Sequence, residues 1–146
     1  MPLIVHGYRC KYFKLQELVE PTIYRERGER AWEMLDPTAL MTLDALREEF
    51  GSLEVNNWHE GGDRDEAGLR RFGTSTGAEF SMHKYGKGFD PRSRNVTPKE
   101  MFDRVMAKAA EKFPHIRAVE NVAATPTWFH FDTRNHNRPG IWVVNP

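Results

Sequence analysis

Two stretches of the chain repeat apolar side chains every three or four residues, which is the spacing of an amphipathic helix. The first predicts a helix over 37–50, where Asp36 supplies the N-cap, a proline takes the first position and Gly51 ends the pattern. The second opens with a capping box at 97–100 and continues to Phe113, ahead of a proline. Weaker helical patterns lie at 15–19 and 27–34.

Strand signals are short and well separated, because each run of β-branched and aromatic residues ends after a few positions. They lie at 53–58, 116–122, 127–133 and 141–144. The stretch from His59 to Pro91 is rich in glycine and charge and has no period, which predicts long loops of the kind that serve a site. Helices and strands do not alternate regularly, so we expect an α+β fold with a small, mainly antiparallel sheet.

Length and composition limit the class of protein. The 146 residues fit one domain spanning 1–146, and 39% hydrophobic residues are enough for a packed core. Lys plus Arg and Asp plus Glu both number 21, and a net charge of zero argues against a protein that coats nucleic acid. The single cysteine, Cys10, has no partner for a disulfide or a thiolate zinc site, so any metal needs His, Asp or Glu ligands.

The N-terminal segment bears on where the protein is made. Its short apolar run is interrupted by His6 and Arg9, so it matches neither a signal peptide nor a membrane span. We therefore expect synthesis in the cytoplasm, and a substrate outside the membrane would require that another component deliver the protein.

Two segments carry the candidate chemistry. In the first, His83 and Asp90 lie seven residues apart and are joined through two glycines, whose flexible backbone lets the side chains converge. In the second, His130 and Asp132 alternate with phenylalanines, so on a strand both ionisable side chains project from one face. Two imidazoles and one carboxylate are the ligand set of a catalytic zinc ion, which can activate water and polarise a carbonyl for amide hydrolysis.

A longer motif surrounds these residues. It comprises Ser81, His83, Gly86, Gly88 and Asp90 in the first segment, and His130 and Asp132 in the second. This motif resembles that of the zinc D-alanyl-D-alanine carboxypeptidase superfamily, which includes phage endolysins and shares its fold with the hedgehog signalling domain. The run from Val55 to Arg70 is also similar, so the resemblance covers about residues 35–133 and implies a hedgehog-like α+β fold.

The resemblance implies a role for each matching residue. The residues that match the zinc ligands are His83, Asp90 and His130. Ser81 matches a serine that contacts substrate, and Arg70 matches an arginine that holds a substrate carboxylate or stabilises the oxyanion. Arg71 is an equally available donor, and Tyr85, inside the first motif, is expected to face the substrate.

The general base is where the chain departs from the family. Members with a catalytic Glu or His carry it a few residues before the last ligand, where this chain has Thr127, and Glu120 lies ten residues before that ligand. Other branches show a His-x-Asp arrangement, so Asp132 is the candidate for the general base or for the partner that orients a ligand histidine. The structural alternative is an ion pair of Asp132 with Arg134 or Arg138.

Three functional hypotheses follow. The first is a zinc peptidase that cleaves a D-amino-acid-containing bond in peptidoglycan stem peptides, as a phage or prophage lysis or tail protein acting on the cell wall. The second is a non-catalytic structural or binding module that keeps the peptidase fold, which the missing acid at position 127 favours. The third is a His-Asn-His nuclease, because His136 lies in the basic run 134–138; the absence of a following helix signal and the neutral charge count against it.

Overall fold

The computed structural model describes residues 7–146, which form three α-helices and four short β-strands around a hydrophobic core. The helices are α1 (Pro21–Arg27), α2 (Pro37–Phe50) and α3 (Pro98–Lys112), and the strands are β1 (Gly88–Phe89), β2 (Ala118–Glu120), β3 (Phe131–Asp132) and β4 (Trp142–Val144). Single 3₁₀ segments lie at Leu15–Glu17, Gly28–Met34, Trp58–Glu60 and Met82–Tyr85. The α+β class predicted from the sequence is confirmed.

The N-terminal apolar run that ends at His6 lies outside the described residues. None of the helices within residues 7–146 combines the length and the hydropathy that a membrane span requires.

Both predicted amphipathic helices are confirmed. Helix α2 begins with Pro37 and ends before Gly51, whose φ of +78° suits a residue without a side chain. Helix α3 begins at the capping box, in which Thr97 Oγ1 accepts a hydrogen bond from Glu100 N and the Glu100 carboxylate accepts one from Thr97 N. The apolar faces of these two helices enter the core, where each fully buried leucine of α2 contributes about 1.5–3 kcal/mol.

The weaker helical predictions are only partly right. Residues 27–34 form a 3₁₀ segment rather than an α-helix, and residues 15–19 hold one 3₁₀ turn. The α-helix of this region, α1, lies between them and was not predicted. It starts after Glu20, whose carboxylate accepts a hydrogen bond from Ile23 N and so caps the first turn.

The strand predicted at 53–58 is wrong. Among the described residues, this segment has only an isolated bridge between Glu54 and Arg92. Side-chain hydrogen bonds hold this segment against the residues before α1 instead of against a strand. Asn56 Nδ2 and Trp58 Nε1 both donate to the carbonyl of Val19, at 3.1 and 2.9 Å. The segment is therefore fixed as a loop against the α1 region.

The four strands form one mixed sheet in the order β1-β3-β2-β4. Strand β3 pairs antiparallel with β1 and β2, whereas β4 pairs parallel with β2. The prediction of a mainly antiparallel sheet therefore holds for two of the three pairings and is corrected for the last. After β3 the chain crosses β2 and forms β4 along the outer edge of β2, where it runs in the same direction as β2.

The register of the sheet separates a core face from a polar face. Phe89, Phe131 and Val119 occupy one row across the strands and are fully buried in the core. In the neighbouring row Asp132 lies between Gly88 and Ala118 and points to the opposite face, since successive residues of a strand alternate. This polar face carries the candidate site.

Candidate metal centre

Three predicted ligands come together from different parts of the fold. His83 lies in the 3₁₀ segment Met82–Tyr85, Asp90 follows β1, and His130 precedes β3. One ligand atom from each lies within 4.8 Å of the other two, and both imidazole rings are buried. These side chains could hold a metal ion.

Local backbone features bring the two histidines into place. The Ser81 hydroxyl accepts a hydrogen bond from His83 N at 3.3 Å and so caps the 3₁₀ segment. Gly86 ends this segment with a φ of +72°, a conformation that favours glycine. At Gly88 an added Cβ would lie only 3.0 Å from Cε1 of His130, so the bare backbone of β1 lets that ring approach.

The hydrogen bonds of His83 define which of its nitrogens can bind a metal. Nδ1 lies 2.9 Å from the carbonyl oxygen of Gly68, which can only accept, so Nδ1 carries the proton. In the neutral ring Nε2 then directs its lone pair at Asp90 Oδ1, 3.2 Å away. The imidazole nitrogen and the carboxylate oxygen could therefore both coordinate a cation placed between them.

His130 is placed between two carboxylates. Its Nδ1 lies 2.8 Å from Asp90 Oδ1, and its Nε2 lies 2.8 Å from Asp132 Oδ2. Burial lowers the pKa of His130, but the hydrogen bonds to Asp132 and Asp90 outweigh this effect and raise the pKa to about 10. If a cation replaced the proton on Nδ1, Nε2 would still donate to Asp132. A metal-binding histidine usually donates its second ring N–H to a carboxylate in this way.

Asp90 is the carboxylate shared by both histidines. Burial alone would raise the pKa of Asp90, but its contacts with His83 and His130 lower the pKa below the usual range of a carboxyl group. Its second oxygen, Oδ2, lies 3.5 Å from Nη2 of Arg70. Asp90 is therefore ionised and able to act as an anionic ligand.

Asp132 is fully occupied by protein partners. Arg134 donates from Nε to Oδ1 at 2.8 Å and from Nη2 to Oδ2 at 2.6 Å, while Oδ2 also faces His130. Burial raises the pKa of Asp132, and the hydrogen bonds from Arg134 and His130 outweigh it, so the pKa is lowered overall. Because 0% of its side chain is exposed, the geometry favours the orienting role of Asp132 over that of a general base.

Arg70, assigned to the substrate or oxyanion, lies beside the three ligands. In addition to its contact with Asp90, it donates from Nε to the carbonyl of Glu66 at 2.6 Å. Gly77 covers the other side of the guanidinium, since an added Cβ there would lie 2.6 Å from Nη1. Arg70 is thus held at the site with its position largely fixed.

Of the three remaining predicted site residues, one lines the cleft in front of the ligands and two do not. Ser81 lines the cleft in front of the ligands. Arg71 does not, because its side chain is 53% exposed and its Nε lies 3.5 Å from Glu20. Tyr85 is 42% exposed and packs edge-to-face on Phe72, with ring centroids 5.4 Å apart, rather than lining the cleft.

The cleft that opens onto the ligands has a volume of about 560 Å³. Besides the ligands, its lining includes Arg70, Phe80, Ser81, Glu120, Trp128 and Arg134. Phe80 and Trp128 are 69% and 40% exposed, so aromatic surface lies next to charged groups in this cleft. A ligand in this cleft would contact both kinds of surface.

Glu120 is a lining residue to which the sequence argument assigned no role. Trp128 donates from Nε1 to Glu120 Oε2 at 2.7 Å. Strands were predicted at 116–122 and 127–133, but their relative register was not, and only the register of β2 with β3 places Glu120 beside His130, the residue before β3.

His136, the histidine behind the nuclease hypothesis, lies outside the metal-binding cluster. Its Nε2 is 2.7 Å from the carbonyl of Arg117, its Nδ1 accepts from Arg138 N at 3.0 Å, and its ring packs edge-to-face on Trp142. Both ring nitrogens therefore bind backbone groups, which gives this residue a structural role.

Comparison of the chain with protein-family models, with curated proteins and with solved structures finds no match. The features that point to a function are therefore the geometry of the His83, Asp90 and His130 cluster and the sequence motif around it.

Proposed function

We propose that this protein is a zinc-dependent peptidase that hydrolyses a D-amino-acid-containing amide bond in peptidoglycan stem peptides. The observation that carries the proposal is the convergence of His83, Asp90 and His130 at the base of a cleft. We further propose the hedgehog-like peptidase fold that the motif implies, and action on the cell wall as a lysis or tail protein of a phage or prophage.

The donor set supports zinc among the common metals. Imidazole nitrogens suit zinc better than magnesium or calcium, which prefer all-oxygen sites, and three protein ligands leave a position for water. Each histidine also has a partner for its second nitrogen, Gly68 O for His83 and Asp132 for His130, as expected for metal ligands. When bound, zinc supplies Lewis acidity that polarises the scissile carbonyl and lowers the pKa of water.

The residues around the ligands provide the protein's own contribution to the reaction. Arg70 offers a fixed cation beside Asp90, where it can hold a substrate carboxylate or the developing oxyanion. Ser81 adds a hydroxyl to the cleft wall. Asp132 keeps Nδ1 of His130 directed at the centre by accepting a hydrogen bond from Nε2.

A non-catalytic binding module is the second candidate. It is favoured by the burial of Asp132, because a carboxylate with no exposed surface cannot readily take a proton from water. This candidate predicts that the protein binds zinc and wall peptides without cleaving them.

Mass spectrometry of peptidoglycan fragments separates the two candidates. We expect fragments incubated with zinc-loaded protein to yield new products that disappear with a chelator, and the product masses to locate the scissile bond. His83→Ala should lose bound zinc and cleavage together, whereas the control His115→Ala, an exposed histidine outside the cluster, should keep both. Zinc-loaded protein that yields no product from several wall chemistries would contradict the peptidase and support the binding module.

A further inference from the structure

The polar face of the sheet contains an acid that the metal-binding motif does not include. The position three residues before His130 is Thr127, and Asp132 is engaged by Arg134 and His130. Amide hydrolysis at this centre nevertheless needs a group that accepts a proton from water and passes it to the leaving nitrogen. Such a group is required if the protein is the peptidase proposed above.

Strand register places Glu120 beside His130. Strands β2 and β3 are antiparallel, with Ala118 opposite Asp132, and the next row on the same face brings Glu120 opposite His130. The backbone confirms this pairing, because Glu120 N donates to the carbonyl of His130 at 3.3 Å. Side chains of directly opposed residues project to the same face with Cβ atoms about 4.5–5.5 Å apart.

The carboxylate of Glu120 is held at one oxygen and free at the other. Oε2 accepts the 2.7 Å hydrogen bond from the indole of Trp128, while Oε1 has no hydrogen-bond donor among residues 7–146. The side chain is partly buried and lines the same cleft as the three ligands. Glu120 lies outside the cluster of ligand atoms that converge within 4.8 Å, so it is free to act on a reactant instead of on the metal.

We propose that Glu120 is the general base and acid of this site. Its carboxylate takes a proton from the attacking water as the water oxygen bonds to the amide carbon. The resulting carboxyl group then gives that proton to the amide nitrogen as the carbon–nitrogen bond breaks. The products are a carboxylic acid and an amine, Glu120 returns to its ionised form, and no oxidant or reductant is required.

The indole of Trp128 is the positioning group for this carboxylate. Both residues line the cleft, and the hydrogen bond from the indole to Oε2 limits the rotation of the glutamate while it leaves Oε1 without a hydrogen-bond donor among the described residues. Aspartate at position 120 is one methylene shorter, so it could not keep both the indole contact and the reach toward the reactant.

Glu120→Gln tests the assignment, because the amide keeps the shape and an acceptor for Trp128 but cannot take the proton. We expect kcat to fall at least about 100-fold, the usual effect of losing a general base, with KM little changed. Zinc stoichiometry and zinc affinity, measured by competition with a chelating dye, should match the wild type. The control Glu111→Gln, at an exposed position of α3, should change none of these quantities.

Chemical rescue separates catalysis from a structural role. Added formate should restore part of the activity of Glu120→Ala, since a small carboxylate can occupy the vacated space, but should not stimulate Glu120→Gln. Wild-type kcat in Glu120→Gln, or loss of its zinc, would overturn the assignment while the peptidase proposal stood. Zinc-loaded wild-type protein that cleaves no fragment would overturn the peptidase proposal and this assignment with it.

Discussion

The two histidines of the candidate metal centre are held by different parts of the chain. Nδ1 of His83 donates to a backbone carbonyl, that of Gly68, whereas Nε2 of His130 donates to the side chain of Asp132. One ring is therefore fixed by the main chain and the other by a carboxylate. We therefore expect side-chain substitutions next to His130 to change the metal affinity, because the partner of His83 is a backbone group that they cannot remove.

The His83 side is a network of backbone hydrogen bonds. Arg70 N donates to the carbonyl of His83 at 3.1 Å, Asp90 N donates to that of Ala67 at 2.8 Å, and Leu69 N donates to that of Leu18 at 2.8 Å. Backbone hydrogen bonds therefore connect the segment from Ala67 to Arg70 to the core through Leu18, and to the two candidate ligands His83 and Asp90. No single side-chain substitution removes the partner of His83.

The His130 side is a chain of ionisable side chains. Asp132 binds His130 and Arg134, and the Arg134 guanidinium lies over the ring of Trp142, 5.1 Å from its centroid. The negative charge of Asp132 increases the basicity of His130. Substitution of Asp132 therefore changes the electrostatics of one ligand and leaves the other untouched.

Asp90→Asn should have the largest effect, because Asp90 contacts both histidines and removing its charge affects both sides at once. We expect the zinc affinity to fall by more than about 100-fold, which exceeds the usual effect of substituting a residue that only hydrogen-bonds to a metal ligand. The measurement is competition with a zinc-chelating dye. Asp63→Asn, at an exposed loop position, is the control and should bind zinc like the wild type.

Asp132→Asn should have a smaller effect and should act only through His130. Loss of a carboxylate that hydrogen-bonds to a ligand histidine lowers metal affinity by about 10–100-fold. In the same dye competition, the zinc affinity of this variant should therefore lie between those of Asp90→Asn and the wild type. Asp103→Asn makes the same change in an exposed ion pair with Lys99 and should leave the affinity unchanged. Equal affinities for Asp132→Asn and the wild type would show that the side-chain partner does not tune the centre.

The pH dependence should distinguish the metal-free protein from the loaded one. Because the pKa of His130 is raised from 6.5 to about 10, its protonation stabilises the metal-free fold fully below pH 6.5, and this contribution is lost as the pH rises through about 10. Zinc binding must displace the same proton, so the apparent zinc affinity should rise about tenfold per pH unit between about pH 7 and 9. Thermal melts and dye competition measure the two trends.

These opposite trends provide a check on the role of Asp132. In Asp132→Asn the pKa of His130 should be lower, so the rise in zinc affinity should level off at a lower pH than in the wild type. A zinc affinity that is independent of pH in the wild-type protein would contradict the assignment of His130 as a ligand.

Sequence reasoning succeeds here where the determinants are local. Helix α3 follows from its capping box and apolar spacing, whereas α2 follows from apolar spacing between Pro37 and Gly51, since the Asp36 side chain makes no capping hydrogen bond. The His83 and Asp90 pair follows from a short glycine-containing motif whose ends converge as expected. The strand predicted at 127–133 forms only at Phe131–Asp132, but the expected alternation still places His130 and Asp132 on one side, since their side chains are hydrogen-bonded.

It fails where the answer depends on pairing between distant segments. The segment 53–58 has the composition of a strand, but its polar side chains bind the carbonyl of Val19. The proximity of Glu120 to His130 depends on the register of β2 and β3, which residue composition does not specify. Arg71 and Arg70 are equivalent in the sequence, and only the fold directs one to the centre and the other to Glu20.

X-ray absorption at the zinc edge of the stoichiometrically loaded protein tests the proposed ligand set directly. We expect one zinc per chain in the wild type, with two imidazole nitrogens and oxygen ligands and no sulfur, and no stoichiometric zinc in either His83→Ala or His130→Ala. A spectrum with a different number of imidazoles, or one that neither substitution changes, would contradict the proposed centre.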